Sequence, residues 1–195
     1  LSTTTAATLP GLSFSDGDVA LWDPVTATTV LAFSEGAFAG NADIDAFHRF
    51  DDGTFLLSTT GNATLGGLGF GDDDIVLYDP STDSASLFFD GGALFSNGNE
   101  DVDAVSVLAN GLLLLSTDGS ATLRWLTFSD GDVVEYDALN DVATLYFDES
   151  LFLTNEDVDG VHAMPNGTLL LSTTNDATLG ALAAGRAPTC QSPDR

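Results

Sequence analysis

Apolar and polar residues alternate over short stretches of this chain, and clusters of Gly, Asn, Asp and Pro separate the stretches. Between residues 43 and 90 the alternation predicts four strands, at 43–50, 54–59, 74–78 and 84–89. Asp52-Gly53 reads as a tight turn between the first two, and it recurs as Asn110-Gly111 and Asn166-Gly167. Asp79-Pro80-Ser81-Thr82 reads as the turn between the last two, with Pro fixing φ. Residues 60–73, which carry ATLGGL, and residues 90–100 are expected to be loops. No stretch places its apolar residues at helical spacing.

The pattern repeats. LST begins at Leu1, Leu57, Leu115 and Leu171, at offsets of 56, 58 and 56 residues. LSTTTAATLPGLSFSDGDVALWDP parallels LSTTGNATLGGLGFGDDDIVLYDP and LSTDGSATLRWLTFSDGDVVEYDA, and a shorter fourth copy reads LSTTNDATLGAL. ADIDAFHRFDDGTFL, EDVDAVSVLANGLLL and EDVDGVHAMPNGTLL recur in the same way. The expected fold is all-β, built from tandem four-stranded antiparallel sheets. One repeat domain is expected over residues 1–182, with units starting at 1, 57, 115 and 171. Residues 183–195 differ in composition and read as a C-terminal extension. They hold Cys190, the single cysteine, so no intrachain disulfide can form. Four strands per unit with an aromatic fourth fit a β-propeller blade. A β-solenoid or a sandwich of the same hairpins is the alternative. The columns Trp22/Tyr78/Tyr136 and Phe33/Phe89/Phe147 are expected to pack one unit against the next.

FSDGDVVEYD, DVATLYFD, NEDVD and PNGTLLLST resemble blade repeats of β-propeller type from bacterial secreted and cell-surface proteins. The resemblance spans residues 1 to about 182 and implies a fold and an extracellular setting. It implies no reaction, because this architecture hosts many unrelated functions.

The phase of the repeat sets a further expectation. The sequence starts within a second strand and stops after a second strand and its loop. The last two strands would complete the partial first unit, and LSTT at both ends is then redundant. Closed propellers typically have about four to eight blades. Open edges are therefore expected, and they need a cover. A second copy closing a ring, the rest of a longer protein, or head-to-tail strand completion into a filament would each supply one.

Charge narrows the partners. Thirty acidic residues face four basic ones, with no lysine, for a net charge of -26. Such a surface repels nucleic acid and anionic membranes. No apolar run is long enough for a membrane-spanning helix. Most of the acid is aspartate, 25 Asp to 5 Glu, and it recurs in two columns. One is Asp16/Asp18, Asp72/Asp74 and Asp130/Asp132. The other is Asp43/Asp45, Glu100/Asp101/Asp103 and Glu156/Asp157/Asp159. In a meander, the loops after strands two and four lie at one end of the sheet. Both columns should then meet at one rim of each unit. Two carboxylates 4 Å apart repel by about 4 kcal/mol at an effective dielectric near 20. Ca²⁺ would relieve that with about six to eight oxygens, whereas Mg²⁺ demands tighter geometry. The competing reading is Asp as turn former and strand-end cap.

Catalytic constellations are not expected. His48 and His162 share one repeat column with Ser106, and neither a thiol nor further histidines are near enough in pattern for zinc. Carboxylate pairs that recur in every unit do not resemble the unique acid and base of a glycosidase. The run from Gly66 to Gly71 lacks phosphate-binding spacing. The expected role is a non-enzymatic extracellular structural subunit, calcium-stabilised and self-associating into an oligomer or filament. The alternative is an adhesin- or lectin-like module binding carbohydrate or protein, and a hydrolase is the least supported. Asn62-Ala63-Thr64 and Asn166-Gly167-Thr168 match the N-glycosylation pattern.

Overall fold

A computed structural model describes residues 2–3, 5–97 and 100–180. Cys190 and the C-terminal extension lie outside them. The N-terminal part contains the hairpins β1 (Ala7–Leu9) with β2 (Leu12–Phe14) and β3 (Val19–Asp23) with β4 (Thr28–Phe33). The next unit runs β5 (Ile44–Arg49), β6 (Phe55–Thr59), β7 (Ala63–Leu65), β8 (Leu68–Phe70), β9 (Ile75–Asp79) and β10 (Ser84–Phe89). The following unit repeats it as β11 (Ala104–Val107), β12 (Leu113–Ser116), β13 (Ala121–Leu123), β14 (Leu126–Phe128), β15 (Val133–Asp137) and β16 (Val142–Phe147). A last pair, β17 (Gly160–Ala163) and β18 (Leu169–Ser172), follows.

Two complete four-stranded antiparallel meanders result, β5-β6-β9-β10 and β11-β12-β15-β16, and neither closes on itself. The all-β class and the four strands per unit are as the sequence predicts. The loop at 60–73 is not a plain loop: it folds into the small hairpin β7–β8. Gly66 and Gly67 both take positive φ, 54° and 81°, which makes the two-residue turn. Residues 90–100 also hold structure, a single helical turn at Gly91–Leu94. Its counterparts are 3₁₀ turns at Glu35–Ala37 and Glu149–Leu151. Each is capped by a short polar side chain, Asp90, Ser34 or Asp148, that accepts a backbone N–H within the turn.

The core lies between sheets rather than within one. Leu57, Val76 and Tyr78 pack toward the β3–β4 hairpin with Phe33 and Phe38. Leu56 and Ile75, on the opposite face of the same strands, pack toward the second full sheet with Val105, Leu115 and Tyr136. Successive strand residues point to opposite faces, so β6 is buried throughout and shows no alternation. The expected aromatic packing is present for two pairs, Phe33 edge-on to Tyr78 with ring centroids 5.7 Å apart and Phe89 to Tyr136 at 5.6 Å, while Trp22 stays exposed and Phe147 meets Phe152 instead.

The first strands lie side by side. β11 packs against both β5 and β17. Ala163 N–H donates to Ser106 Oγ across one boundary at 3.0 Å. His48 and His162 stack with ring centroids 6.5 Å apart.

The terminal pairs do not merge. Among the described residues β3–β4 and β17–β18 stay separate two-stranded sheets, so the third sheet envisaged from the sequence phase is not formed. Ser2 gives the reason. Its hydroxyl donates to the Asp16 carbonyl at 3.1 Å, as Ser58 does to Asp72 and Ser116 to Asp130. Ser2 thus takes the place in its own unit that Ser58 and Ser116 take in theirs.

Candidate functional site

The acidic columns separate into two structural roles. Asp18, Asp74 and Asp132 tie loops together. In each, one carboxylate oxygen accepts the N–H three residues back, from Ser15, Gly71 or Ser129, at 2.8–3.0 Å. The other accepts the first N–H of the turn after strand four, from Glu35, Gly91 or Glu149. This is the capping role. Asp16, Asp72 and Asp130 offer their backbone carbonyls to the serine hydroxyls of strand two.

The second column is different. An Asp-apolar-Asp triplet stands at or just before the start of each first strand, and its middle side chain is driven into the core: Ile44, Val102 and Val158 are all buried. Alternation then turns both flanking aspartates the other way. The backbone pins them. Val102 N–H donates to the Asp72 carbonyl at 3.0 Å and Val158 N–H to the Asp130 carbonyl at 3.1 Å. Both bonds cross from one unit to the next. The carbonyls of Asp43, Asp101 and Asp157 accept N–H groups from Thr60, Asp118 and Thr174.

Aspartates of successive units therefore meet at the seam: Asp45 faces Asp101, and Asp103 faces Asp157. The sequence expectation placed both acidic columns on one rim of a single unit. The structure instead sets Asp72 and Asp130 against Asp101 and Asp157 of the following unit. Burial pushes the Asp103 carboxyl up to about 9, helped by the negative charges of Asp157 and Asp45. Burial and then Asp101 push Asp45 up to about 8. Asp101 is raised to about 6, by burial and by the charges of Asp118 and Asp72. Asp157 is raised by burial and by Asp130. One buried oxygen of each of Asp43, Asp45, Asp101, Asp103, Asp157 and Asp159 has no hydrogen-bond partner. No cation answers this charge: the ion pair among the described residues is Arg124 with Asp141, at the outer edge.

A cavity of about 500 Å³ opens beside the first strands. Asp16, Asp43, Asp45, Asp103 and Asp159 line it. Among the described residues no three His, Cys, Asp or Glu side chains gather round one point closely enough to hold a metal unaided. Glu100 and Glu156 are buried away from solvent, and Glu156 accepts the Thr154 hydroxyl. The sequence reading missed Glu35 and Glu149, whose Oε2 atoms are also buried without a partner. Their signal is a reciprocal column: Gly17 with Glu35, Asp73 with Gly91, Gly131 with Glu149.

Fold and site together define an acidic, tandem-repeat β module. No family model matches the chain, and no curated protein does. Solved structures match the chain at low similarity. One is the extracellular domain of a B. thetaiotaomicron protein described as a putative hybrid two-component system: 13% identity, 86% of this chain covered, TM-score 0.43. Another is an extracellular domain from the same organism described as a one-component system: 14% identity, 92% covered, TM-score 0.44. The chain spans only 19% and 27% of those proteins' lengths.

Proposed function

We propose that this chain is a non-enzymatic extracellular structural module of propeller-blade type that associates with further copies of itself by completing half-sheets. The observation that carries the reading is the half-sheet at the end of the repeat. β18 has the sequence of a second strand, but among the described residues no third strand pairs with it. Inside the chain the same two strand types already pair, as Leu113 with Tyr136 and Leu115 with Val134. Applied between copies, that register sets Leu169 opposite Trp22, in a second-strand place that the LST sequence duplicated at 1 and 171 lets either copy fill. The exposures agree. Leu170 is 60% exposed where Leu56 and Leu114 are fully buried, and Trp22 is 40% exposed where Tyr78 and Tyr136 are buried. Free strand edges of this kind pair readily with another chain.

The test is the mass in solution across a concentration series, with electron microscopy of the concentrated sample. Association that Leu170→Lys abolishes is the expected result, since a charge there blocks the edge while leaving the isolated fold intact. Uniformly monomeric particles at every concentration would refute the reading.

A further inference from the structure

Each complete seam holds two carboxylates facing each other; Ala46 N–H donates to Asp45 Oδ1 at 2.8 Å, but one oxygen of every member has no donor. A carboxylate accepts hydrogen bonds but cannot supply one. Asp45 with Asp101 and Asp103 with Asp157 each retain a buried, unpartnered oxygen on both members. Asp103 is only 7% exposed and lines the cavity beside the first strands. The same arrangement appears at two successive seams, produced by the same backbone bonds. It is therefore built by the repeat. Bringing buried charges of one sign together without a counter-charge is costly.

We infer that each seam binds one calcium ion between the second aspartate of one unit and the first aspartate of the next, Asp45 with Asp101 and Asp103 with Asp157. Two carboxylates start the shell, and backbone carbonyls and water complete it, as Ca²⁺ coordination allows. Asp72 and Asp130 stand close behind and add attraction at longer range. Zinc does not suit the site, because no histidine or cysteine takes part. The ion ties neighbouring sheets to each other rather than strands within a sheet. The inference is independent of self-association, since both seams lie within one chain.

The experiment is calcium chloride titration of the chelator-treated chain by calorimetry, with thermal melts in parallel and magnesium chloride as comparison. Asp103→Asn and Asp45→Asn keep the side-chain shape and remove one charge. The wild type should take up one ion per seam and melt higher with calcium. Each variant should lose one equivalent. Without calcium each should melt above the wild type, because the repulsion is gone. Those opposite shifts separate a ligand from a merely structural carboxylate. No calcium uptake by the wild type overturns the inference and leaves the pairs as acids sharing a proton. Equal uptake by the wild type and both variants also overturns it, by placing the ion elsewhere.

Discussion

Phe89, at the end of β10, meets Tyr136 of β15 edge-on with ring centroids 5.6 Å apart and an interplanar angle of 88°. The two belong to successive sheets, so this contact is a joint between units. Phe33 and Tyr78 make the same joint one unit earlier. Phe89 is 2% exposed and also touches Phe95. Phe89→Ala should cost about 3–5 kcal/mol, the range for removing a buried aromatic. Phe147→Ala should cost less, because Phe147 is only half-buried and among the described residues its ring meets only Phe152. Urea denaturation of the two variants measures the difference.

Asp74 holds two loops with one carboxylate, accepting from Gly71 and from Gly91, each at 3.0 Å. Asp74→Ala leaves both N–H groups without that acceptor. A loss of about 1–3 kcal/mol is expected, the usual cost of a lost cap or an unmade buried hydrogen bond. Calcium uptake should be unchanged in the same variant, because Asp74 belongs to neither seam pair. Melting and calorimetry on one preparation check both outcomes.

The four strands of each unit were legible because they obey simple rules. Alternating or continuous apolar runs lie between Gly, Asn and Pro turns, and the repeat supplies independent copies of each. Ser84–Phe89 was bounded correctly from sequence. The hairpin β7–β8 was not seen, because three-residue strands are too short for alternation to register. The Gly66-Gly67 turn with Leu65 opposite Leu68 was its one signal. The acidic columns were legible as columns, but their roles were not. Asp18 and Asp45 sit in similar acidic strings, and only the fold shows that backbone amides saturate the first while the second faces Asp101. A seam between units depends on how sheets stack, and spacing along a chain carries no record of it.

The raised Asp45 and Asp103 carboxyls make a pH prediction for the metal-free chain. An unfolded aspartate titrates near about 3.9. In the folded chain these two are pushed up to about 8 and about 9. Between those limits the folded state holds more protons than the unfolded state, so stability falls as pH rises. The penalty is absent below about pH 4 and complete above about pH 9. Each extra proton held contributes a slope of about 1.4 kcal/mol per pH unit. Neighbouring pairs share protons, so the effect counts per pair rather than per residue. Denaturation curves at a series of pH values should show this decline, and Asp103→Asn should flatten it. A profile independent of pH in the wild type would show that the pairs are solvated.

The reciprocal column of glycine and acid gives the sharpest test of how the units are built. A Cβ on Gly17 would lie 2.2 Å from the Ala42 carbonyl and 2.8 Å from Glu35 Cβ. A Cβ on Gly131 would lie 2.1 Å from the Glu156 carbonyl and 2.8 Å from Glu149 Cβ. In the middle unit the order is reversed. Asp73 takes the loop position, and a Cβ on Gly91 would meet the Asp73 carbonyl at 2.0 Å. Space at this joint admits one side chain, and each unit fills it with one acid from one side or the other. Gly91→Glu alone should therefore destabilise by about 1–3 kcal/mol or more, as overpacking does. Asp73→Gly alone removes no contact that the backbone needs, so its cost should be the smaller. Together the two changes recreate the Gly17–Glu35 pairing of residue types, and the double variant should recover the part of the loss that comes from the Asp73 side chain, whose Cβ lies 2.7 Å from the added Cβ. A double-mutant cycle reads the coupling directly. Additive effects would mean that the two positions do not share one space.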